Sequence, residues 1–395
     1  MIELLAPAGS LNKLNVAFQY GADAVYLGGG AFSLRGSEFD LAGIAEGISV
    51  AHGLGKKVYV TANIVPHNRD LAELREYITE VGRLMPDAFI VSDLGVFDMC
   101  QRYAPNVPIH ISTQANNTNW ASAKKWHEMG AKRIILAREL SIDEIREIRD
   151  NVPDGLELEV FVHGAMCVAY SGRCLISNYL TARDANMGVC AQPCRWEFEV
   201  REKGKDGGFM GVVESERGTF LFNSKDLNMI RQVEALIEAG VHTLKIEGRN
   251  KSEYYLATVV RAYRRELERL RRGEAFDAAW VEELEKVSHR EYCEGIGSDG
   301  EPQIYGTSSY IRSSEVMALV LESEREGFLL CEQRGKIIAG DKLEIMPPNG
   351  ANIIVNNAEI YGEKDFELLE STPHPTMRFW LRCDAKVEAG SFVRR

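Results

Sequence analysis

One junction recurs along this chain and limits what it can fold into: an amphipathic helical run ends at glycine, and within two or three residues an apolar run begins. It occurs at Phe18-Gln19-Tyr20-Gly21 before Ala24-Val25-Tyr26-Leu27, at Glu128-Met129-Gly130 before Arg133-Ile134-Ile135-Leu136, and at Glu238-Ala239-Gly240 before Thr243-Leu244-Lys245-Ile246. Glycine just past a helix takes the left-handed conformation that ends it, and a short apolar run with polar ends suits a strand covered on both faces. Repetition of this unit dictates alternating β and α.

Strands are predicted near residues 2–6, 23–28, 57–63, 87–92, 108–113, 132–137, 157–163 and 242–247, with a weaker one at 219–223. Helical patterns lie between them, such as Leu71 to Leu84 and Ile142 to Asp150. The second opens on Ser141 and Glu144, spaced as a capping box, with Ile142, Ile145 and Ile148 on one face. Eight such strands predict an α/β chain folded as a (β/α)8 TIM-like barrel. An open doubly wound sheet is the alternative, because strand order is not written in one sequence.

Two stretches break the rhythm. Residues 164–218 hold four cysteines followed by Gly204-Lys205-Asp206-Gly207-Gly208, and read as a cysteine-bearing insertion after the seventh strand. From about 305 the helical period gives way to short alternating runs, among them Met317-Ala318-Leu319-Val320-Leu321 and Met377-Arg378-Phe379-Trp380-Leu381, with the turn signal Pro347-Pro348-Asn349-Gly350 between. The 395 residues thus divide into a catalytic barrel over 1–275, a linker over 276–304 containing Gly295, Gly297, Gly300 and Pro302, and a small all-β barrel domain over 305–395.

No apolar run approaches the ~18 residues that span a bilayer. Met1-Ile2-Glu3-Leu4-Leu5 enters a strand pattern with no basic flank, so a cytoplasmic protein without a membrane partner is expected. Lys and Arg number 46 against 58 Asp and Glu, a net charge of −12. Long-range attraction to nucleic acid needs the opposite sign, so such a partner must use a local basic patch. Ser252 to Arg272 offers one, with Arg261, Arg264, Arg265, Arg269, Arg271 and Arg272 among Tyr254, Tyr255 and Tyr263. Glu266 and Glu268 interrupt it, and a barrel helix laced with salt bridges is its plainer reading.

In a barrel of this type the active site lies at the carboxyl ends of the strands. The residues there are Pro7-Ala8-Gly9, Gly28-Gly29-Gly30, Asn63 with His67, Ser92-Asp93, Gln114 with Asn116, Arg138-Glu139, His163-Gly164 and Glu247-Gly248-Arg249. Their convergence suits an enzyme cavity, although Asp93 could equally cap a helix and Asn63 sit in a turn. Gly28-Gly29-Gly30 lacks the dinucleotide-binding spacing and reads as a tight turn.

Cys167, Cys174, Cys190 and Cys194 fall within 28 residues, while Cys100, Cys293, Cys331 and Cys383 are scattered. In a reducing compartment such a cluster points to metal or redox chemistry rather than disulfides. The gaps of six, fifteen and three residues fit zinc at 190 and 194 but not at 167 and 174, whereas iron–sulfur spacings vary more; unliganded core thiols remain the third reading. Arg173, Arg183 and Arg195 interleave and would offset the charge of four thiolates. Neither HExxH nor GxSxG occurs, which leaves only Cys167 beside His163 as a conceivable protease pair.

Glu159-Val160-Phe161-Val162-His163-Gly164-Ala165-Met166-Cys167 and Tyr170-Ser171-Gly172-Arg173-Cys174 resemble the signature of the collagenase-like peptidase family of unassigned catalytic type. Asn63-Ile64-Val65-Pro66-His67-Asn68, Gln114-Ala115-Asn116, Arg138-Glu139-Leu140-Ser141, Cys194-Arg195-Trp196-Glu197, Asn223-Ser224-Lys225-Asp226-Leu227 and Leu244-Lys245-Ile246-Glu247-Gly248-Arg249 are similar to its branch of prephenate-dependent tRNA wobble-uridine hydroxylases. The resemblance runs from about residue 3 to 295 and is looser in the tail. It implies oxygen-independent C5 hydroxylation of uridine in the tRNA anticodon, prephenate as co-substrate, and a [4Fe–4S] cluster on Cys167, Cys174, Cys190 and Cys194, with zinc the alternative. Substrate or metabolite contacts are expected from Asn63, His67, Gln114, Asn116, Arg138, Lys245 and Arg249, and proton transfer from His163, Glu139 or Glu247. A collagenase-like protease, or a hydroxylase of another RNA or an aromatic substrate, are the alternatives.

Overall fold

The computed structural model describes residues 2–34, 38–196, 224–295, 309–323 and 325–395. Ten strands form the first sheet: β1 (Glu3–Pro7), β2 (Ala24–Gly28), β3 (Lys57–Ala62), β4 (Ala88–Val91), β5 (Ile109–Ile111), β6 (Arg133–Ile135), β7 (Glu157–Ala165), β8 (Asp226–Asn228), β9 (Thr243–Ile246) and β10 (Tyr292–Cys293). Strands β1 to β7 pair in sequence order and in parallel, and β9 pairs in parallel with both β7 and β1. The sheet therefore closes on itself: it is the eight-stranded parallel barrel, and the open doubly wound alternative is excluded. The short β8 lies antiparallel on the carboxyl end of β7, and β10 extends it.

The recurring junction does what its chemistry requires. Gly21, Gly130 and Gly240 have φ of 109°, 111° and 82°, ending their helices just before β2, β6 and β9. The capping box at Ser141 and Glu144 opens the helix Ile142–Asn151. Side chains of one parity in the strands, including Leu4, Val25, Val60, Phe89, Ile134, Val160 and Leu244, are buried against the outer helices. Those of the other parity, including Leu5, Tyr26, Tyr59, Ile90, Ile135 and Phe161, fill the barrel interior.

The interior also carries charge. Arg133 donates to Glu3 at 2.7 Å and to Glu159 at 3.0 Å, while Lys245 Nζ donates to Glu159 at 2.8 Å. Tyr59 adds a 2.8 Å bond to Glu3. Glu159 and Thr243 are fully buried, and the network spans the seam where β9 joins β7 to β1.

The described part of the expected linker includes regular structure. Helix Ala279–Glu285 buries Leu284 against the long helix Glu253–Arg272, and β10 joins the barrel sheet; residues 296–304 lie outside the described set, as do the weaker strand at 219–223 and the 204–208 turn. Most arginines of Glu253–Arg272 are engaged as the plainer reading holds, among them Arg264 with Asp23, Arg265 with Glu268, and Arg269 with Glu266. Arg261 is buried and donates to Gly350 O at 2.8 Å and Asn352 Oδ1 at 2.7 Å, joining barrel to tail.

The tail is an eight-stranded antiparallel sheet from Val316–Glu322 to Phe392–Arg394, with its own apolar core around Val320, Ile345, Ile360 and Phe379. Its outermost strands, Ile353–Val355 and Leu368–Leu369, do not pair with each other, so the expected small barrel is a half-barrel. Among the described residues no helix is long and apolar enough to cross a membrane.

Removing one member of a buried ionic network strands its partners. Glu159→Gln leaves Arg133 and Lys245 short of their shared carboxylate and is expected to lower stability by about 3–5 kcal/mol, read by denaturant unfolding. A loss below 1 kcal/mol would show that the network is not what holds the seam.

Candidate functional site

The carboxyl ends of the strands and the segment after β7 enclose one cavity of about 250 Å³. Tyr26, Ile90, Phe161 and Lys245 reach it from the barrel interior, and Thr61, Asn63, Gln114, Arg138, Glu247 and Arg249 from the strand ends. Cys167, Cys174, Cys190 and Cys194 complete the wall, with Arg183 and Arg195. Of the ten residues expected to contact substrate or to move protons, Asn63, Gln114, Arg138, Lys245, Glu247 and Arg249 line this cavity, whereas His67, Asn116, Glu139 and His163 do not.

The polar groups are held firmly. Arg249 Nη1 donates to Ser33 Oγ at 2.6 Å, and its guanidinium lies 5.6 Å from the Tyr26 ring centroid. Tyr26 OH donates to Glu247 Oε2 at 3.2 Å and to Ile246 O at 3.0 Å. Leu34 N donates to Asn63 Oδ1 at 3.2 Å. Lys245 sits 4.4 Å from the Tyr26 ring centroid, and burial lowers its pKa against the pull of Glu159. Arg138 stacks 4.3 Å over Phe161 and donates through Nη1 to Ala165 O at 2.9 Å. Arg138 Nε and Gln114 Oε1 are buried and have no hydrogen-bond partner among the described residues. A buried donor and acceptor left open on one cavity wall are the usual mark of a ligand's polar edge.

Around the first two cysteines the chain is tied to the barrel. Ser171, at φ 43°, donates its N–H to Glu139 Oε1 at 2.6 Å and its hydroxyl to Glu139 Oε2 at 2.5 Å. Asn116 Nδ2 donates to Tyr170 O at 2.9 Å, and Gln114 Nε2 to Gly172 O at 3.3 Å. Cys174 exchanges two bonds with the Asn186 side chain at 3.2 and 3.0 Å, and Asn186 O accepts from Val65 N at 3.0 Å. Glu139 and Asn116 are thus loop anchors at this site rather than part of its wall.

None of the four thiols is in a disulfide. Burial pushes the Cys194 thiol up, Arg195 opposes, and the charges of Cys167, Cys190 and Cys174 add to the rise. Among the described residues no group of three or more His, Cys, Asp or Glu side chains is gathered to hold a metal ion. As a donor set, four thiols are of the soft kind that binds thiophilic metals, and Arg183 and Arg195 line the same wall.

His67 is exposed, its backbone N–H bonded to Asp70 Oδ2 at 2.7 Å, and stands outside the cavity. Strict alternation from Glu159 and Phe161 would turn His163 inward, but the β7–β9 register shifts between Phe161 and His163. Its ring lies instead between Tyr255, Tyr263 and Tyr292, with centroids 6.0, 5.7 and 5.4 Å away, and burial drives its pKa down to about 3. The ring is packed among tyrosines and is absent from the cavity wall that Cys167 lines, which argues against the protease pair. Gly164 follows at φ 115°, where a Cβ would meet Glu247 O at 2.5 Å; only glycine lets β9 come this close. Asp93 is a helix cap, accepting from Gly95 N at 2.8 Å and Val96 N at 3.1 Å. Tyr26 and Thr61 were not expected at the site, although their inward parity was the available signal.

Fold and site define a TIM-barrel protein whose strand-end cavity is walled by a four-cysteine segment. Residues 9–303 match Peptidase family U32 and residues 312–394 match the Peptidase family U32 C-terminal domain. The chain belongs to Peptidase family U32. It is 42% identical over 395 residues to tRNA hydroxylation protein P of Escherichia coli (strain K12), covering 88% of this chain and 86% of the relative. It is 37% identical over 299 residues to the 23S rRNA 5-hydroxycytidine C2501 synthase of that organism, covering 73% of this chain but 44% of the relative. It is also 33% identical over 381 residues to a collagenase of Porphyromonas gingivalis (strain ATCC BAA-308 / W83), covering 91% of this chain and 89% of the relative.

Two outcomes follow from the anchors and the enclosed ring. Glu139→Ala deletes both bonds to Ser171, at about 1–3 kcal/mol of local stability. Limited proteolysis is expected to cut between Cys167 and Cys174 several-fold faster while the global unfolding midpoint barely moves. His163 is neutral in the folded chain down to about pH 3, whereas an unfolded histidine takes a proton near pH 6.5. Its contribution is complete above that value and is lost as pH falls, and buried His110 acts in the same direction. The melting temperature should therefore fall between pH 6.5 and 4.5, before the carboxylates titrate, and His163→Gln should flatten that slope.

Proposed function

We propose that this protein is an RNA hydroxylase acting on tRNA. It converts the C5–H bond of the wobble uridine into C5–OH without molecular oxygen, with prephenate as co-substrate and an iron–sulfur cluster on Cys167, Cys174, Cys190 and Cys194. The observation that carries this reading is the composition of one cavity wall, where four thiols stand with Arg138, Arg249, Gln114 and Glu247. Two of three compared relatives bear names of RNA hydroxylation enzymes, and the tRNA protein aligns over far more of both chains than the ribosomal one.

Each group has a use in that reaction. An iron–sulfur cluster, when bound, would supply one-electron redox chemistry at this wall. Gln114 Oε1 is open to accept the N–H of a uracil imide. Arg138 presents its Nε, and the planar forks of Arg138 and Arg249 suit the carboxylates of prephenate. Glu247, held by Tyr26, is the cavity carboxylate able to take the C5 proton. The collagenase reading has no nucleophile–base pair among the described residues of the cavity, whose lining contains no histidine.

The test is an anaerobic incubation of the protein with prephenate and tRNA lacking the modification, followed by nucleoside mass spectrometry. Formation of 5-hydroxyuridine is expected, and Arg249→Lys should lower kcat/KM about 10- to 150-fold, the loss of one charge-assisted contact. Release of peptides from denatured collagen with unmodified tRNA would replace this reading by the peptidase one.

A further inference from the structure

We propose that the outer side of the cysteine segment is a docking surface for a single-stranded RNA loop, an assignment that rests on the RNA reading above. Its inner side lines the cavity through Cys167, Cys174, Cys190 and Cys194. Its outer side exposes Tyr170, Leu175, Tyr179, Leu180, Val189 and Trp196, all within 27 residues. Tyr179 is 89% exposed and Leu175 72%, values that burial in a monomer core does not explain. Soluble chains scatter such residues singly, and their concentration beside a cavity marks an interaction surface.

Charge decides the occupant. Between 167 and 196 stand Arg173, Arg183 and Arg195 against Asp184 alone, a local net charge of +2 in a chain of −12. That one carboxylate is turned inward to its own backbone, where Asp184 Oδ1 accepts from Asn186 N at 2.8 Å. The surface is also braced. Helix Ile176–Thr181 packs on the turn Pro193–Arg195, Ala191 N donates to Ser177 Oγ at 2.9 Å, and Arg195 Nη1 donates to Tyr310 OH at 2.7 Å. Tyr310, 38% exposed, thereby extends the aromatic rim from the tail side. Exposed aromatic faces with interleaved guanidinium groups are what unstacked bases and their phosphates require. Two arginines of the set, Arg183 and Arg195, line both rim and cavity, so a loop stacked outside is led toward the thiols.

The experiment measures fluorescence anisotropy of an anticodon-sized stem–loop RNA, and of a duplex of equal length, on the full-length protein. The stem–loop should bind more tightly, Tyr179→Ala should weaken it about 5- to 150-fold, as for one stacked base, and Tyr179→Phe should restore it. Trp196→Ala gives an independent second variant, and unchanged iron content and melting temperature in each show that fold and thiols are intact. Equal affinity for stem–loop and duplex, or alanine variants that bind as tightly as the parent, would overturn the docking surface. So would a change in oligomeric mass or in vesicle binding on Tyr179→Ala with RNA affinity unaltered, since the patch would then serve a second copy or a lipid surface. Tight, Tyr179-dependent binding without 5-hydroxyuridine would leave the surface standing and sink the hydroxylase reading instead.

Discussion

The molecule depends on the seam where β9 closes the barrel between β7 and β1. Without it the strand ends would not converge, and residues as distant as Asn63, Gln114 and Arg249 would share no cavity. The seam is specified by charge as well as by backbone pairing: Glu159 receives both Arg133 and Lys245, and Arg133 reaches across to Glu3. Buried charges tolerate few partners, so this set, drawn from β1, β6, β7 and β9, fixes the register of four strands at once, which an apolar interior would leave freer to slip. Lys245 then belongs to two layers, bound below to Glu159 and facing the cavity above.

On that frame the insertion after β7 divides its labour between anchors and thiols. Glu139, Asn116 and Gln114 grip the chain between Cys167 and Cys174, and Asn186 grips Cys174 from the other side. The anchors come from the ends of β5 and β6, so the position of the thiols is inherited from the barrel. A loop with left-handed residues at 171, 182 and 192 could not hold such a shape by local preference alone.

Much of this was legible in the sequence. Eight strands announced themselves through apolar runs and the glycines before them, and the capping box at Ser141 marked a helix start to the residue. The charged interior was not legible, since Glu3, Arg133 and Glu159 look like the polar ends and flanks of ordinary strands. His163 was misplaced because alternation points it inward, and the register shift that turns it into a tyrosine cage exists only when β7 meets β9. Glu139 and Asn116 stand at strand ends, as catalytic groups do, and only the folded loop above them shows what they hold. His67 follows a strand too, but the chain leaves the cavity before reaching it.

In the proposed function the four thiols on the cavity wall hold one iron–sulfur centre. Iron and acid-labile sulfide determined per chain after strictly anaerobic purification test it most directly. About four of each per chain are expected, falling with any single Cys→Ser change at 167, 174, 190 or 194. One zinc per chain with no sulfide, or iron bound unchanged in all four variants, would contradict it.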